Sequence, residues 1–304
     1  MTFAKKLKSA LEKGAAHLLS KRVKHFSEII IVTVAIVSFF IHLLIISLVK
    51  FKYLVVADSS GLLSNPIAAI YTPFSFILIY EVYLLVYYLP KSTSIYIGKQ
   101  YEIVTLIVIR RIFKDLSQLE FSNDWFKVPH DVQFTFDLLC TVVLFFLIFI
   151  FYRLNQRKFV QEKGSSIYEE KISRLIWLKT MIAALLMPVF LTLAVYSLTH
   201  WIHENFFSLT QAVESMKDVN KIFFDEFFTI LILVDVLLLL ISFMQSDKFN
   251  KVIRNSAFIV STVLIKLSFG VGGVLNPILL VVSVLFGIVI LKIHNLFEGL
   301  VVPD

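Results

Sequence analysis

The sequence predicts an all-α polytopic membrane protein with eight transmembrane helices arranged as two parallel four-helix repeats. Composition sets the class: 58% of the 304 residues are apolar, thirty are Phe, and mean hydropathy is +0.83, which no ordinary soluble domain carries. Scarce glycine and apolar runs that reach twenty residues, with no alternating ten-residue strands, exclude an outer-membrane barrel. The repeat is read from three intramembrane charges that recur at matching spacing.

Residues 1–27, MTFAKKLKSALEKGAAHLLSKRVKHFS, set Phe3, Leu7, Leu11, Leu18 and Phe26 at helical spacing among seven lysines and arginines. They are expected to form an interfacial amphipathic helix that turns Lys5, Lys6, Lys8, Lys21, Arg22 and Lys24 toward anionic lipid, the alternative being a solvated basic tail. The stretch is too charged for a cleavable signal and lacks a small-residue cleavage site, so the first apolar run stays as a helix.

The first repeat covers 28–153. Its spans are Glu28 to Lys50, Phe74 to Leu89, Ile97 to Lys114 and Gln133 to Tyr152, with Asn65, Pro66 and Pro73 breaking the chain ahead of the second span. A charged linker, 154–174, carries Gly164, Ser165 and Ser166 at its centre and separates the halves. The second repeat, 175–304, contributes Leu175 to Trp201, Glu226 to Met244, Val252 to Phe269 and Val274 to Ile293; Pro188 is expected to kink the first of these. With an internal N-terminus, twenty of the 29 lysines and arginines fall on the inner side, so both termini are expected in the cytoplasm of a bacterial inner-membrane protein. Four spans per half give the halves one orientation, as parallel repeats have. The net charge of +7 clusters beside spans, which points to topology and anionic lipid instead of nucleic acid. The single cysteine, Cys140, lies in an apolar run and reads as packing.

The charges that define the repeat lie in two hairpins. Glu81, Lys99 and Arg111 answer to Asp235, Arg254 and Lys266: each second base follows its first by twelve residues, and each acid precedes its first base by eighteen or nineteen. At 1.5 Å per residue, Glu81 lies roughly 14 Å from the turn and Arg111 about 20 Å, with Lys99 and Arg254 at the inner mouths. An antiparallel hairpin then pairs Glu81 with Arg110 or Arg111, and Asp235 with Lys266. Two readings stay open: the pairs fix helix register, or they line a path for ions or protons.

Other charged positions read more plainly. Span four has no arginine at every third residue, which disfavours a voltage sensor. His200, His203 and Glu204 have metal-compatible spacing, but beside Trp201 they read as membrane-boundary residues. His42 reads as packed, Glu102 as solvated at the inner mouth, and Asp137 as an interfacial cap. No phosphate-binding Gly loop, HExxH, GxSxG or catalytic carboxylate pair is present, so neither an enzyme nor a cofactor is expected.

The hairpin of each half resembles the phosphate-starvation-inducible E (PsiE) family of four-span inner-membrane proteins. The likeness rests on the acid in span two, the turn ending in a base, and a second base twelve residues later; KQYEIVTLIVIRRIFKD carries it in the first half. In the second half Asp235 and Lys266 replace the glutamate and arginine. The resemblance implies a tandem duplication of one four-span unit and an inner-membrane location. The leading functional expectation is movement or sensing of small ions through the charge pairs. The alternatives are a non-catalytic scaffold or regulator that binds partner proteins or anionic lipid, and a membrane-perturbing effector. The bilayer itself, a second copy or another membrane protein are the expected partners.

Overall fold

The computed structural model describes residues 12–53, 66–116, 129–156, 166–206, 219–243 and 249–299. These are all-α. After a helical stretch at 12–18 come α1 (Lys21–Lys50), a 3-10 turn (Pro66–Ile70), α2 (Tyr71–Tyr88), α3 (Thr93–Leu116) and α4 (Pro129–Asn155). The chain continues through α5 (Ser166–Phe206), α6 (Val219–Phe243), α7 (Phe249–Gly270) and α8 (Leu275–Gly299).

Among the described residues five stretches are long and apolar enough to cross a membrane: Lys21–Lys50, Asp131–Asn155, Ser173–His200, Phe249–Gly270 and Leu275–Gly299. Thr72–Tyr88 is a shorter apolar helix. Together they make this a multi-pass helical membrane protein.

Several helix bounds differ from the sequence reading: α5 starts at Ser166 instead of Leu175 and α6 at Val219 instead of Glu226. The N-terminal break falls at Ser20, whose hydroxyl accepts a hydrogen bond from the Val23 N–H (3.2 Å), so α1 absorbs Lys21, Arg22 and Lys24 seven residues earlier than hydropathy places the span. A serine cap satisfies an orphan donor at the first turn, and that local bond outweighs the charge of the segment. Pro188 lies within α5 without ending it, its ring on the exposed side. Residues 54–65 and 207–218 lie outside the described residues, as do 157–165 of the linker between the halves and Lys5, Lys6 and Lys8, whereas 166–174 of that linker are the first turns of α5.

Consecutive helices pack on one another within 21–155 and again within 166–299. Across the halves, α4 packs on α8, α3 on α7, and α5 on α2. Hydrogen bonds fix the senses: Cys140 to the Pro277 carbonyl (3.5 Å) and the Asn295 amide to the Leu154 carbonyl (2.9 Å) run α4 and α8 parallel. The consequence is a central ring of α3, α4, α8 and α7.

Helix α3 sits deep although six of its 24 residues are charged. Tyr96, Ile97, Tyr101, Ile103, Val104, Ile107, Val108 and Arg110 are all buried, so apolar neighbours surround it on nearly every side. Helix α1 is the opposite case: its buried residues are Ala35, His42 and Ile46, and the rest is an apolar surface suited to lipid. Where α3 meets α8, Gly287 admits the Tyr101 ring, because a Cβ there would lie well inside contact distance of the Tyr101 hydroxyl.

Candidate functional site

Three clusters of buried polar groups join the helices. In the first, Arg110 of α3 donates from Nη2 to the Glu81 carboxylate of α2. Arg110 is 0% exposed and Glu81 2%, so both charges are fully withdrawn from water and each neutralises the other. The α2–α3 turn makes this geometry, because it brings two antiparallel helices together with no intervening element.

Arg111 goes elsewhere. Its Nε and Nη2 donate to Asp137 of α4 at 2.5 and 2.6 Å, a bidentate pair, and its Nη1 donates to Asn276 of α8 at 2.9 Å. The Asn276 amide passes the chain on to the Ser268 carbonyl of α7 (2.6 Å), and Gln133 donates to Asp137 (3.0 Å). One guanidinium therefore ties α3, α4 and α8, with α7 one bond further. Asp137 is 0% exposed, which corrects its reading as an interfacial cap. The signal was available: Gln133 and Asp137 are four residues apart on one helix face, beside an arginine that the turn geometry leaves without α2.

The second half departs from the expected pair. Lys266 donates to the Thr229 hydroxyl of α6, and no ion pair joins it to Asp235 among the described residues. Six residues separate Thr229 from Asp235, about 9 Å along the helix, so Lys266 meets α6 too far from the acid. Asp235, 6% exposed, instead accepts from the Gln100 amide of α3 at 3.4 Å. Gln100 is held in turn by the Thr262 hydroxyl of α7 (2.9 Å to Oε1). The buried Tyr96 hydroxyl lies beside Asp235 and Gln100 without reaching hydrogen-bond geometry, and Lys179 of α5 is within electrostatic range of Asp235. Next to this group, Tyr101 shares a 2.8 Å hydrogen bond with Ser261, which donates to the Ser283 carbonyl at 2.7 Å. Gln100, Tyr96, Tyr101, Ser261 and Thr262 were missed by sequence reasoning; as neutral polar residues in mixed helices they carry no charge signal.

At the mouth where α3 and α7 begin, Lys99 pairs with Glu102 (2.6 Å) and Glu102 accepts from the Tyr152 hydroxyl (2.5 Å). Glu102 is thus half-shielded and paired. Arg254 meets the His294 ring at 3.0 Å and Asn255 at 3.1 Å. Lys21 and Arg22 are exposed, whereas Lys24 reaches the Tyr88 hydroxyl at 3.2 Å. His42 Nδ1 lies 2.5 Å from the Thr72 hydroxyl, and His200 stacks on Tyr196. Among the described residues no group of three or more His, Cys, Asp or Glu could hold a metal ion.

Fold and site together define a multi-pass helical membrane protein with buried ionic and polar contacts between its helices. Neither a family model, nor a curated protein, nor a solved structure matches the chain.

Proposed function

We propose that this is an eight-span protein of the bacterial inner membrane, built as a tandem duplication of a PsiE-like unit with both termini in the cytoplasm, that moves small cations, protons first among them. The observation that carries the reading is Asp235: a carboxyl at membrane depth whose hydrogen-bond partner is a neutral amide. Such a group is free to gain and lose a proton or to meet a cation, which an acid locked by arginine is not. The Gln100 amide of α3 donates to it, held in place by the Thr262 hydroxyl of α7, and the Tyr96 hydroxyl lies beside it.

The two closed pairs take a different role. Glu81 with Arg110, and Arg111 with Asp137, have the full pairing that fixes helix register, and they hold the frame around the Asp235 site. The same closure supports the second reading, a non-catalytic scaffold that binds a membrane partner. Neither reading calls for an enzyme or a cofactor.

The test is proton flux into proteoliposomes under an imposed pH gradient. Flux is expected with the parent protein, at least tenfold less with Asp235→Asn, and partial activity with Asp235→Glu. No flux in the parent, or the same flux in correctly inserted Asp235→Asn, removes the ion reading and leaves the scaffold.

A further inference from the structure

Three lysines from three different elements converge at the end of the bundle where α1 begins and the α2–α3 turn lies. The Lys24 ammonium of α1 sits 5.5 Å from the Tyr87 ring centroid and 5.4 Å from that of Tyr88, and Lys91 of the turn approaches Tyr87 at 5.8 Å. Lys99 of α3 approaches Tyr88 at 5.3 Å and Tyr152 at 6.0 Å. Each contact alone is a favourable cation–π interaction. Gathered around two adjacent rings, however, the ammonium groups repel one another, and an anion between them reverses the sign.

The local acids fill that role only at Lys99. Glu102 is committed to Lys99 and to the Tyr152 hydroxyl, and Glu28 accepts from Tyr80 (3.2 Å). Among the described residues neither Lys24 nor Lys91 has a carboxylate within ion-pair distance. Lys24 spends one donor on the Tyr88 hydroxyl and keeps two, and Lys91 is exposed on its turn.

We propose that Lys24, Lys91 and Lys99, with the Tyr88 hydroxyl, bind the phosphate group of an anionic phospholipid. Lysine binds phosphate as a point charge without a fixed fork, which suits three ammonium groups arriving from separate elements. A lipid source follows from what lies beside the lysines. Phe26, Ile29 and Ile30 are 64%, 51% and 43% exposed within two turns of Lys24, an apolar wall for acyl chains beneath a headgroup at the interface. This site is distinct from the diffuse attraction of the basic N-terminal stretch and does not depend on ion movement at Asp235.

The experiment measures the thermal midpoint of the full-length protein in detergent against added phosphatidylglycerol, phosphatidylcholine or inorganic phosphate. Phosphatidylglycerol alone is expected to raise it. In Lys24→Gln/Lys91→Gln its apparent affinity is expected to fall about 25-fold, about fivefold for each lysine. Lys50→Gln/Lys52→Gln, which removes the same charge from the opposite end of α1, is expected to leave it unchanged. Should the double variant not fold, Lys91→Gln alone, on the exposed turn, is expected to show the fivefold loss. Equal stabilisation by the two lipids, or equal losses in the two double variants, overturns the site. Stabilisation by inorganic phosphate matching that of phosphatidylglycerol assigns it to a free anion and overturns the lipid reading.

Discussion

Arg110 and Arg111 are neighbours in the chain that engage acids on opposite sides of α3: Arg110 binds Glu81 on α2, and Arg111 binds Asp137 on α4. Successive helical residues point about 100° apart, so one helix directs two adjacent guanidinium groups to two different partners. Helix α3 is thereby pinned on both flanks.

The Glu81 pair is predicted to matter through what remains when half of it is removed. Glu81→Gln leaves the Arg110 charge buried without its counter-ion, and a loss of about 3–5 kcal/mol is expected. Glu81→Leu/Arg110→Met removes both charges and should recover most of that loss. Unfolding in mixed micelles followed by circular dichroism reads the difference; equal destabilisation by the single and double variants would contradict the pairing.

Arg111 makes a two-pronged bond that lysine cannot copy. Arg111→Lys is expected to lose one of the two hydrogen bonds to Asp137 and the one to Asn276, lowering stability by about 1.5–3 kcal/mol. A lysine variant as stable as the parent would show that charge alone, without the fork, holds α3 to α4 and α8.

Gly287 offers a test of the α3–α8 contact. Gly287→Ala places a methyl group against the Tyr101 hydroxyl and should destabilise by about 1–3 kcal/mol. Tyr101→Phe withdraws that oxygen, and in its background the alanine is expected to do less harm, since Ser261 keeps its bond to the Ser283 carbonyl. Additive losses in the two backgrounds would mean the ring and the glycine do not meet.

Hydropathy made the helices legible, since each apolar run became one, and the sharp turn at Pro90 made the α2–α3 hairpin legible too. The level at which the base would meet the acid was not legible. Counting twelve residues from the first base aligns Lys266 with Arg111, which binds Asp137 on α4 instead of an acid on α2; Lys266 does face α6, but it meets Thr229, about 9 Å along that helix from Asp235. Spacing along the chain therefore supplied a base facing the right helix at the wrong level. The partner of Asp235 was hidden for another reason: Gln100 belongs to the other half of the chain, and how two halves dock depends on side-chain shape across α3 and α7. Lys24, read from sequence as a headgroup lysine on a surface helix, proved to reach an aromatic patch because α1 starts at Lys21.

The Asp235 site supplies the last prediction, through a residue that never touches the acid. Thr262 donates to Gln100 Oε1, and that bond orients the amide so that its Nε2 faces Asp235. Thr262→Val keeps the volume and removes the hydroxyl, leaving the Gln100 oxygen buried without its donor. Stability is expected to fall by about 1–3 kcal/mol, the desolvation penalty of one unsatisfied polar group. If Asp235 exchanges protons, flux changes as well, because a freed amide can rotate and present oxygen to the carboxyl, a contact that favours the protonated acid as donor. Thr262→Ser restores the hydroxyl and should restore both quantities, whereas Ser256→Ala, on the same helix with a hydroxyl bonded to its own Val252 carbonyl, should alter neither flux nor the Asp235 environment. A valine variant that loses stability with flux intact would separate the network from the transport reading and place Gln100 and Thr262 among the contacts that merely hold the halves together.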